Sequence, residues 1–356
     1  MLPWMSRLAP LCLFALSTVA GAAPLAPPDA GIDGLMQRYD GRVPGAAVLV
    51  LKDGQPVFRR GYGLAVVEDG TPVSPATNFR LASVSKQFTA AAILLLAEDG
   101  RLSIDDPLKK WLPGLPAVAD AMTLRQLLSH TSGLLDYEDL MDPADTRQVH
   151  DIDVLHLLQK ENRTYFAPGS SYRYSNSGYA LLALVVGKAS GNDFASFLRQ
   201  RIFLPLGMTA TFAHQDGVDE VPNRAYGYSQ IDGHWQRTDQ STTSAVLGDG
   251  GIYSSIDDLA KWDAALYDER LLRRASLQQA FSAATATPEP DVPHYGFGWR
   301  INGDALWHSG ESIGFRNVIV RYPKQKLTVV VLSNRNDPEP YALALQIARR
   351  WQEPGQ

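Results

Sequence analysis

Residues 83–98 read SVSKQFTAAAILLLAE, a run that is rich in Ala and Leu, contains no Gly or Pro, and is closely followed by Gly100. These features predict an α-helix from Ser83 to Glu98. Ser83 and Lys86 lie three positions apart in its first turn, so their side chains share one face and are within reach of each other. This is the strongest helix prediction in the chain.

The Ser-x-x-Lys pattern of residues 83–86 occurs once in the chain. A serine hydroxyl is a poor nucleophile until a base takes its proton, and a lysine whose pKa is lowered by burial can be that base. A helix that starts at Ser83 also directs its positive end toward a developing oxyanion. The alternative is a helix cap at Ser83 with a solvated Lys86, and the pattern alone does not exclude it.

Outward from this helix, both ends of the chain carry β-type runs. On the N-terminal side, a short helix over Ile32–Tyr39 precedes two strands, Ala46–Leu51 and Val57–Tyr62, which a turn at Asp53-Gly54 joins into a hairpin. Beyond residue 290 we expect four strands separated by Gly, Asn-Gly or Pro-Lys turns, then a closing helix: Tyr295–Ile301, Ala305–His308, Phe315–Tyr322, Leu327–Leu332 and Tyr341–Trp351.

Between these ends, residues from about 103 to 290 are punctuated by Pro and Gly and show helical periodicity. The candidate helices are Leu124–Ser129, Val154–Lys160, Tyr179–Ser190, Phe194–Ile202 and Ile256–Leu266. We therefore predict an α/β fold with one antiparallel sheet, formed by the N- and C-terminal segments and flanked by helices. A mostly helical subdomain is inserted at about 103–290.

The first 22 residues have the layout of a cleaved secretory signal: Arg7, then the apolar stretch Leu8–Val19, then small residues. The apolar stretch is shorter than the roughly 20 residues that span a bilayer, so a membrane anchor is the less favoured alternative. The single cysteine, Cys12, lies in this segment, where it is poorly placed for lipid attachment. We expect a mature domain of residues 23–356 in the periplasm or secreted, without cysteine and without a stable membrane anchor.

The composition is that of an ordinary globular protein, with 45% hydrophobic and 20% charged residues and a formal net charge of −5. No basic stripe is present, which argues against nucleic acid as a partner. The histidines form no ligand spacing such as H-x-x-x-H, so we expect no metal and no cofactor. The oligomeric state is left open.

Two further short motifs follow in chain order. Tyr174-Ser175-Asn176 is the only Y-x-N: a tyrosine near a cation can shuttle protons, and an Asn amide can orient a lysine and hold a substrate carbonyl. His308-Ser309-Gly310 ends a β-type run, where a Gly lets a substrate backbone lie against the sheet edge. Taken singly, each motif is explained as well by a turn.

Together, Ser-x-x-Lys, Tyr-x-Asn and His-Ser-Gly in this order closely resemble the serine β-lactamase and penicillin-binding-protein superfamily, in its class C-like branch. That branch includes D-alanyl-D-alanine carboxypeptidases, class C β-lactamases, D-aminopeptidases and esterases. The resemblance covers roughly residues 30–350 and extends to further stretches: Pro44–Ala47, Phe79–Ala82, Leu127–Leu134, Pro168-Gly169, Gly250–Ser254, Tyr295–Trp299 and Gly314-Phe315.

The resemblance implies a role for each motif residue. Ser83 is acylated, Lys86 and Tyr174 act as bases for acylation, and Tyr174 activates the water that deacylates the enzyme. Asn176 holds Lys86 and the substrate carbonyl, while His308, Ser309 and Gly310 bind the substrate along the strand. The oxyanion hole is formed by the backbone N–H groups of Ser83 and Glu311.

One departure from the family pattern bears on the substrate. Most β-lactamases place a Lys at the position of His308, and a histidine of ordinary pKa is mostly neutral at pH 7, so it anchors a carboxylate weakly. Arg316 is a candidate for the missing charge, with a surface arginine as the equal alternative. His130, in the loop Ser129–Gly133, is expected to position the neighbouring helix rather than to act in the site.

These features favour an exported serine hydrolase that forms an acyl-enzyme on D-amino-acid-containing peptides, with peptidoglycan stem peptides as the candidate substrate. An esterase or D-aminopeptidase/amidase is the alternative. A true β-lactamase and a non-catalytic peptide-binding protein are weaker alternatives. Three aromatic residues are candidates for the cleft wall, although the sequence does not place them: Trp111, Tyr137 and Trp235.

Overall fold

An eight-stranded antiparallel sheet joins the two ends of the chain in the computed structural model, which describes residues 31–215, 217–218 and 220–352. Two strands come from the N-terminal segment and six from the C-terminal segment, which confirms the predicted α/β architecture. The strands of this sheet are β1 (Ala46–Lys52), β2 (Gln55–Tyr62), β10 (Thr285–Glu289), β11 (Val292–Tyr295), β12 (Arg300–Asn302), β13 (Ala305–Ser312), β14 (Phe315–Tyr322) and β15 (Leu327–Ser333). Their spatial order is β10-β11-β12-β13-β14-β15-β1-β2. The predicted signal segment lies outside the described residues.

The sheet has a hydrophobic core on each face, because the side chains of a strand alternate between its two sides. In β1, Ala47, Leu49 and Leu51 belong to the core on one face, and the residues between them belong to the core on the other. The second, smaller core is closed by α1 (Ile32–Met36) and α11 (Tyr341–Ala348). The β1–β2 turn at Asp53-Gly54 has positive φ at both residues, 52° and 76°, as a two-residue hairpin requires.

The segment between β2 and β10 holds most of the helices and packs on the larger core. Its helices are α2 (Lys86–Glu98), α3 (Leu108–Trp111), α4 (Leu124–Leu128), α5 (Asp151–Leu158), α6 (Asn176–Ser190), α7 (Phe194–Leu198), α8 (Leu247–Gly250), α9 (Ile256–Ala265) and α10 (Arg274–Ala280). Its short strands are β3 (Leu64–Val66), β4 (Thr71–Pro72), β5 (Phe79–Arg80), β6 (Phe212–Ala213), β7 (Tyr228–Ile231), β8 (His234–Arg237) and β9 (Ile252–Ser254). The five helices predicted from periodicity are all present, with their ends shifted by a few residues.

Two boundaries differ from the sequence prediction in ways that shape the site. The α-helix α2 begins at Lys86, and Ser83 lies in a preceding 3₁₀ turn, Ala82–Ser85. The motif His308-Ser309-Gly310 lies inside β13 and not at its end, since the strand continues to Ser312. Both differences follow from tertiary contacts between the turn and the strand, which local propensity does not contain.

The predicted strand Tyr295–Ile301 is wrong: it is divided into the end of β11 and the start of β12. Gly296 and Gly298 lie between them, where close approach excludes a side chain. A Cβ on Gly296 would lie 2.0 Å from the carbonyl oxygen of Ala280, and Gly298 has a φ of +76°. The chain therefore turns at this point.

The closing helix is also shorter than predicted, since α11 ends at Ala348. Past Leu198 the chain continues α7 as one π-helical segment, Arg199–Phe203. Among the residues that the structure describes, no helix combines the length and apolar character needed to cross a bilayer.

Candidate active site

Ser83 lies where the 3₁₀ turn before α2 meets the edge of β13. Ala82, directly before it, has a φ of +48°, a left-handed conformation that a non-glycine residue adopts at an energetic cost. The turn opens onto a narrow cleft of about 50 Å³. With Ser83, the cleft is lined by Arg80, Ala82, Tyr137, Glu138, Asn176, Thr243, Asp249, Gly250, Glu311 and Ser312.

Lys86 is fully buried, and its ammonium group points at Ser83. Its Nζ donates to Ser83 Oγ at 3.0 Å, to Asn176 Oδ1 at 2.8 Å and to the Asp249 carbonyl oxygen at 2.9 Å. All three acceptors are uncharged. An ammonium group satisfies all three, whereas the neutral amine offers a lone pair that can take the hydroxyl proton of Ser83.

Asn176 is held at the first turn of α6, beside Lys86. The Ser175 side chain caps the helix by accepting a hydrogen bond from the backbone N–H of Gly178. The backbone N–H of Asn176 donates to the Asp136 carboxylate at 3.2 Å. Its side-chain nitrogen contacts the Glu138 carboxylate at 3.5 Å. The side-chain oxygen is therefore turned toward Lys86.

Tyr174 covers Lys86 with its ring, whose centroid lies 4.9 Å from Nζ. Its hydroxyl oxygen is buried and has no hydrogen-bond partner among the described residues. The side chain is thus beside Lys86, as the predicted base role requires. Its hydroxyl therefore has hydrogen-bonding capacity that no described residue uses.

His308 is fully buried in β13, where both ring nitrogens have protein partners. Nδ1 lies 2.6 Å from the Ser309 carbonyl oxygen, and Nε2 lies 2.9 Å from the Tyr295 hydroxyl. Because a carbonyl can only accept, Nδ1 carries the proton and Nε2 accepts from Tyr295. Burial and, next, the charge of Arg300 lower the pKa of His308 well below 6.5, so the ring is neutral.

The outer edge of β13 faces the cleft, because its pairing with β12 ends at Trp307. Gly310 brings this edge against the nucleophile turn: a Cβ there would lie 2.0 Å from the Leu81 carbonyl oxygen and 3.3 Å from the Val84 nitrogen. Glu311 and Ser312 complete the wall of the cleft. Residues 308–312 thus offer a backbone edge that no other strand covers in the described part of the chain.

Arg316 and Arg300 differ in how their charges are balanced. Arg316 lies opposite Glu311 in the β13–β14 register, bonds its carboxylate at 2.6 Å, and donates to two backbone carbonyls. Arg300, on β12, donates to Ser309 Oγ at 3.1 Å and has no ion-pair partner among the described residues. Its guanidinium lies 5.7 Å from the ring centroid of Tyr174. Sequence reasoning missed Arg300, although it directly follows the family-like stretch that ends at Trp299.

Asp249 is a second residue that the motifs did not reveal. Its carboxyl group is buried and accepts a hydrogen bond from the Tyr137 hydroxyl at 3.1 Å. Burial raises its pKa to about 7, and the nearby charge of Lys86 opposes that rise. The family-like stretch Gly250–Ser254 starts one residue later, so a sequence feature that could have pointed to Asp249 lies directly beside it.

A larger cavity of about 1190 Å³ lies apart from Ser83, between α5, α6 and the segment 240–247. Trp111 lines this cavity, Tyr137 lines the cleft, and Trp235 packs on Arg335. Within the described ranges, no group of three or more His, Asp or Glu side chains is arranged to hold a metal ion.

Comparisons with known proteins agree on one family of relatives. The family model described as "Beta-lactamase" matches residues 29–350. Penicillin-binding protein 4* of Bacillus subtilis (strain 168) is 34% identical over 318 residues, which are 84% of this chain and 70% of that protein. The chain spans a smaller share, 60%, of a set of Staphylococcus aureus relatives.

Solved structures share the fold. A penicillin-binding protein from Bacillus halodurans superposes with a TM-score of 0.78 at 28% identity, over 89% of this chain and 98% of that one. D-amino acid amidase from Ochrobactrum anthropi SV3, complexed with L-phenylalanine amide, also gives 0.78, at 24% identity over 91% and 97% of the two chains. At that identity the second likeness concerns the fold alone.

Proposed function

The chain belongs to the beta-lactamase family and is a serine hydrolase of that fold, and on this premise we propose that Ser83 is its acylated nucleophile. We further propose that its substrates are D-amino-acid-containing peptides with a free C-terminal carboxylate. The single observation that carries the nucleophile assignment is the 3.0 Å contact between Ser83 Oγ and the fully buried Nζ of Lys86.

The proposed reaction has two steps. In the first, Ser83 Oγ attacks the scissile carbonyl carbon while its proton passes to the neutral amine of Lys86. The phenol of Tyr174 transfers a proton to the leaving amine, which departs as the C-N bond breaks. In the second step, Tyr174 takes a proton from water, whose oxygen attacks the ester carbonyl carbon. The bond between that carbon and Ser83 Oγ breaks, and the protonated Lys86 returns its proton to Ser83 Oγ.

The developing oxyanion is assigned to the backbone N–H groups of Ser83 and Glu311. The close approach of β13 to the nucleophile turn at Gly310 supports this pairing, because it brings the two backbone segments together. Asn176, already oriented by Lys86, offers its amide to the acyl part of the substrate. The open edge of residues 308–312 is suited to pair with the substrate backbone.

Arg300 is the proposed partner of the substrate carboxylate, in place of Arg316. A buried or half-buried guanidinium without a counter-charge gains from binding a carboxylate, whereas Arg316 already has Glu311. Arg300 is bonded to Ser309 Oγ, so guanidinium and hydroxyl together can hold the two carboxylate oxygens. His308 is neutral and turned into the protein, so we expect β-lactam hydrolysis to be weak.

A D-amino-acid amidase or aminopeptidase is the second candidate, and one observation favours it. The carboxylate of Glu138 lines the cleft beside Asn176 and is not in an ion pair among the described residues. It is suited to hold a free ammonium group on the acyl side of a substrate. An esterase uses neither Glu138 nor Arg300.

A substrate panel separates these candidates. Purified protein is assayed on an acyl-D-Ala-D-Ala peptide, a D-amino acid amide, a short-chain nitrophenyl ester and a chromogenic cephalosporin. We expect the peptide to have the highest kcat/KM. A higher value for the amide or the ester would transfer the assignment to that class.

The nucleophile is tested separately with a fluorophosphonate probe and the Ser83→Ala variant. We expect stoichiometric labelling of the wild-type protein and none of the variant. Labelling that survives in Ser83→Ala would overturn the assignment. A wild-type protein that takes no label would instead favour a non-catalytic peptide-binding role.

Export is proposed from residues 1–22 alone, with the periplasm or the medium as the destination and peptidoglycan stem peptides as the accessible substrate. N-terminal sequencing of the protein recovered from a secreting host tests it. A mature chain that begins near residue 23 is expected, and a product that retains Arg7 and stays in the cytosol would refute the proposal.

A further inference from the structure

His130 has a backbone conformation that is uncommon for residues other than glycine. It lies in the loop after α4, is buried, and has a φ of +58°. A non-glycine residue in this left-handed region is strained, and such strain persists only where surrounding contacts hold it. The contacts that hold His130 lead to Tyr174.

His130 bonds the backbone on both sides of Tyr174. Its carbonyl oxygen accepts from the Arg173 amide at 3.0 Å, and its Nδ1 accepts from the Ser175 amide at 3.1 Å. Its ring packs on the Tyr174 ring at a centroid distance of 4.4 Å. Three contacts from one residue therefore fix the position of the tyrosine.

The protonation state of the imidazole suits this role. Because the Ser175 amide donates to Nδ1, that nitrogen is unprotonated, so the ring is neutral with its proton on Nε2. Burial and, next, the positive charge of Lys86 lower the pKa of His130 well below 6.5. Nδ1 thus stays an acceptor at neutral pH.

The ring of His130 also contacts Tyr295, which leads to the His-Ser-Gly strand. The Tyr295 ring lies 4.5 Å from that of His130, and its hydroxyl bonds Nε2 of His308. His130 therefore contacts the Tyr-x-Asn motif directly and the His-Ser-Gly motif through Tyr295. The ring also packs on Tyr179 of α6 at 5.1 Å, so His130 contacts a neighbouring helix as well as the two motifs.

We propose that His130 is the positioning residue that holds the phenol of Tyr174 over Lys86 and Ser83. The inference rests on the proposed function, since it gives Tyr174 a role in proton transfer. It goes beyond that function by assigning a task to a residue outside the three motifs. His130 acts here through Tyr174 and touches no reacting atom.

Two substitutions separate the contacts of His130 from its backbone strain. Gly and Asn both tolerate positive φ, so neither His130→Gly nor His130→Asn adds strain. Only Asn restores an acceptor for the Ser175 amide. Tyr172→Phe is the matched control: this neighbour of His130 has a buried hydroxyl without a hydrogen-bond partner among the described residues.

The readout is kcat and KM for a short-chain nitrophenyl ester, with thermal unfolding as the check on folding. We expect His130→Gly to lower kcat about 100-fold, the effect of misplacing a catalytic group by about 1 Å, with KM changed less than about threefold. We expect the kcat of His130→Asn to be at least about tenfold higher than that of His130→Gly, because Asn restores the hydrogen bond to the Ser175 amide. Tyr172→Phe leaves kcat unchanged.

A double-mutant cycle with Tyr174→Phe supplies the decisive comparison. If His130 acts through Tyr174, adding His130→Gly to Tyr174→Phe lowers kcat by less than about threefold further, because coupled residues are non-additive. Fully additive losses, or a folded His130→Gly protein with wild-type kcat, would overturn the inference. Failure of the underlying function is recognised separately, since Ser83→Ala would then retain turnover.

Discussion

Two fully buried cations, Lys86 and Arg321, are surrounded in opposite ways. Arg321 on β14 bonds the Asp263 carboxylate of α9 at 2.5 Å and lies 4.7 Å from the ring centroid of Tyr267. Lys86 bonds a hydroxyl, an amide oxygen and a backbone carbonyl, all of them uncharged. The first environment pairs the cation with a carboxylate, and the second surrounds it with uncharged hydrogen-bond acceptors.

The difference suits Arg321 to a structural role and Lys86 to the proposed catalytic one. The Arg321–Asp263 pair, reinforced by Thr328, ties α9 to the sheet, and removing one partner leaves a buried charge without compensation. Lys86 has no directly bonded counter-ion to lose. Its contact with Ser83 Oγ is the one on which the proposed proton exchange depends.

The largest expected effect comes from substituting Met for the lysine. Lys86→Met removes the proposed base, so we expect kcat to fall by at least about 10³-fold on any accepted substrate. The midpoint of thermal unfolding should fall by less than in a variant that breaks a buried ion pair, because Lys86 has no directly bonded carboxylate that would be left unpaired. Steady-state kinetics together with calorimetry measure both, and a large drop in the unfolding midpoint would contradict the distinction.

The matched change at the other cation should act in reverse. Arg321→Met strands the Asp263 carboxylate, and we expect the free energy of unfolding to fall by about 3–5 kcal/mol. The kcat of the folded fraction should stay within about twofold of wild type, since Arg321 is remote from the cleft. Urea denaturation measures the loss, and adding Asp263→Asn should recover part of it.

Asp249 sharpens the comparison through pH. The pKa of its carboxyl group is raised from 3.8 to about 7 by burial, so the folded state binds an extra proton between these values. The stability that this group contributes is therefore fully present below pH 3.8 and is lost as the pH rises through about 7. Between pH 4 and 8 we expect the wild type to lose about 2–4 kcal/mol relative to Asp249→Asn.

Urea unfolding at a series of pH values checks this prediction. Asp151, another buried carboxyl group with a pKa raised to about 6, is present in both proteins. Because its charge helps to raise the pKa of Asp249, the difference between the two curves reports the titration of Asp249 together with this coupling. Parallel stability–pH curves for the two proteins would show that Asp249 does not titrate in this range.

Substituting Arg300 should give the smallest effect on activity of these predictions. Arg300 shares one feature with each of the two buried cations, Arg321 and Lys86. It is permanently charged like Arg321 but lacks a counter-ion among the described residues, as Lys86 does. We expect Arg300→Ala to lower kcat/KM for an acyl-D-Ala-D-Ala peptide by about 10–100-fold, the value of one charge-assisted hydrogen bond. The value for a neutral nitrophenyl ester should change less than about threefold.

Arg316→Ala is the control for this experiment, because its guanidinium is already neutralised by Glu311. It should affect the peptide and the ester equally. A selective loss of peptide turnover in Arg316→Ala, and not in Arg300→Ala, would return the carboxylate role to Arg316.

Much of the fold was predictable because it is encoded locally. The Asp53-Gly54 turn, the alternating β-type runs and the apolar helix 83–98 each depend on neighbouring residues, and the structure has them at nearly the expected bounds. The division of Tyr295–Ile301 was missed because its cause is remote. The Ala280 carbonyl, which excludes a side chain at Gly296, belongs to α10, a separate element of the fold.

The sequence alone contains the motif residues in the order that identifies the family: Ser83, Lys86, Tyr174, Asn176 and the His308 motif. Only the tertiary structure decided how these residues face one another. Strand register sets Arg316 opposite Glu311 and leaves Arg300 beside Ser309, with no counter-ion in the described part of the chain. The physical reason is that pairing between charges depends on distances of a few ångströms between segments far apart in sequence, which composition and spacing do not contain.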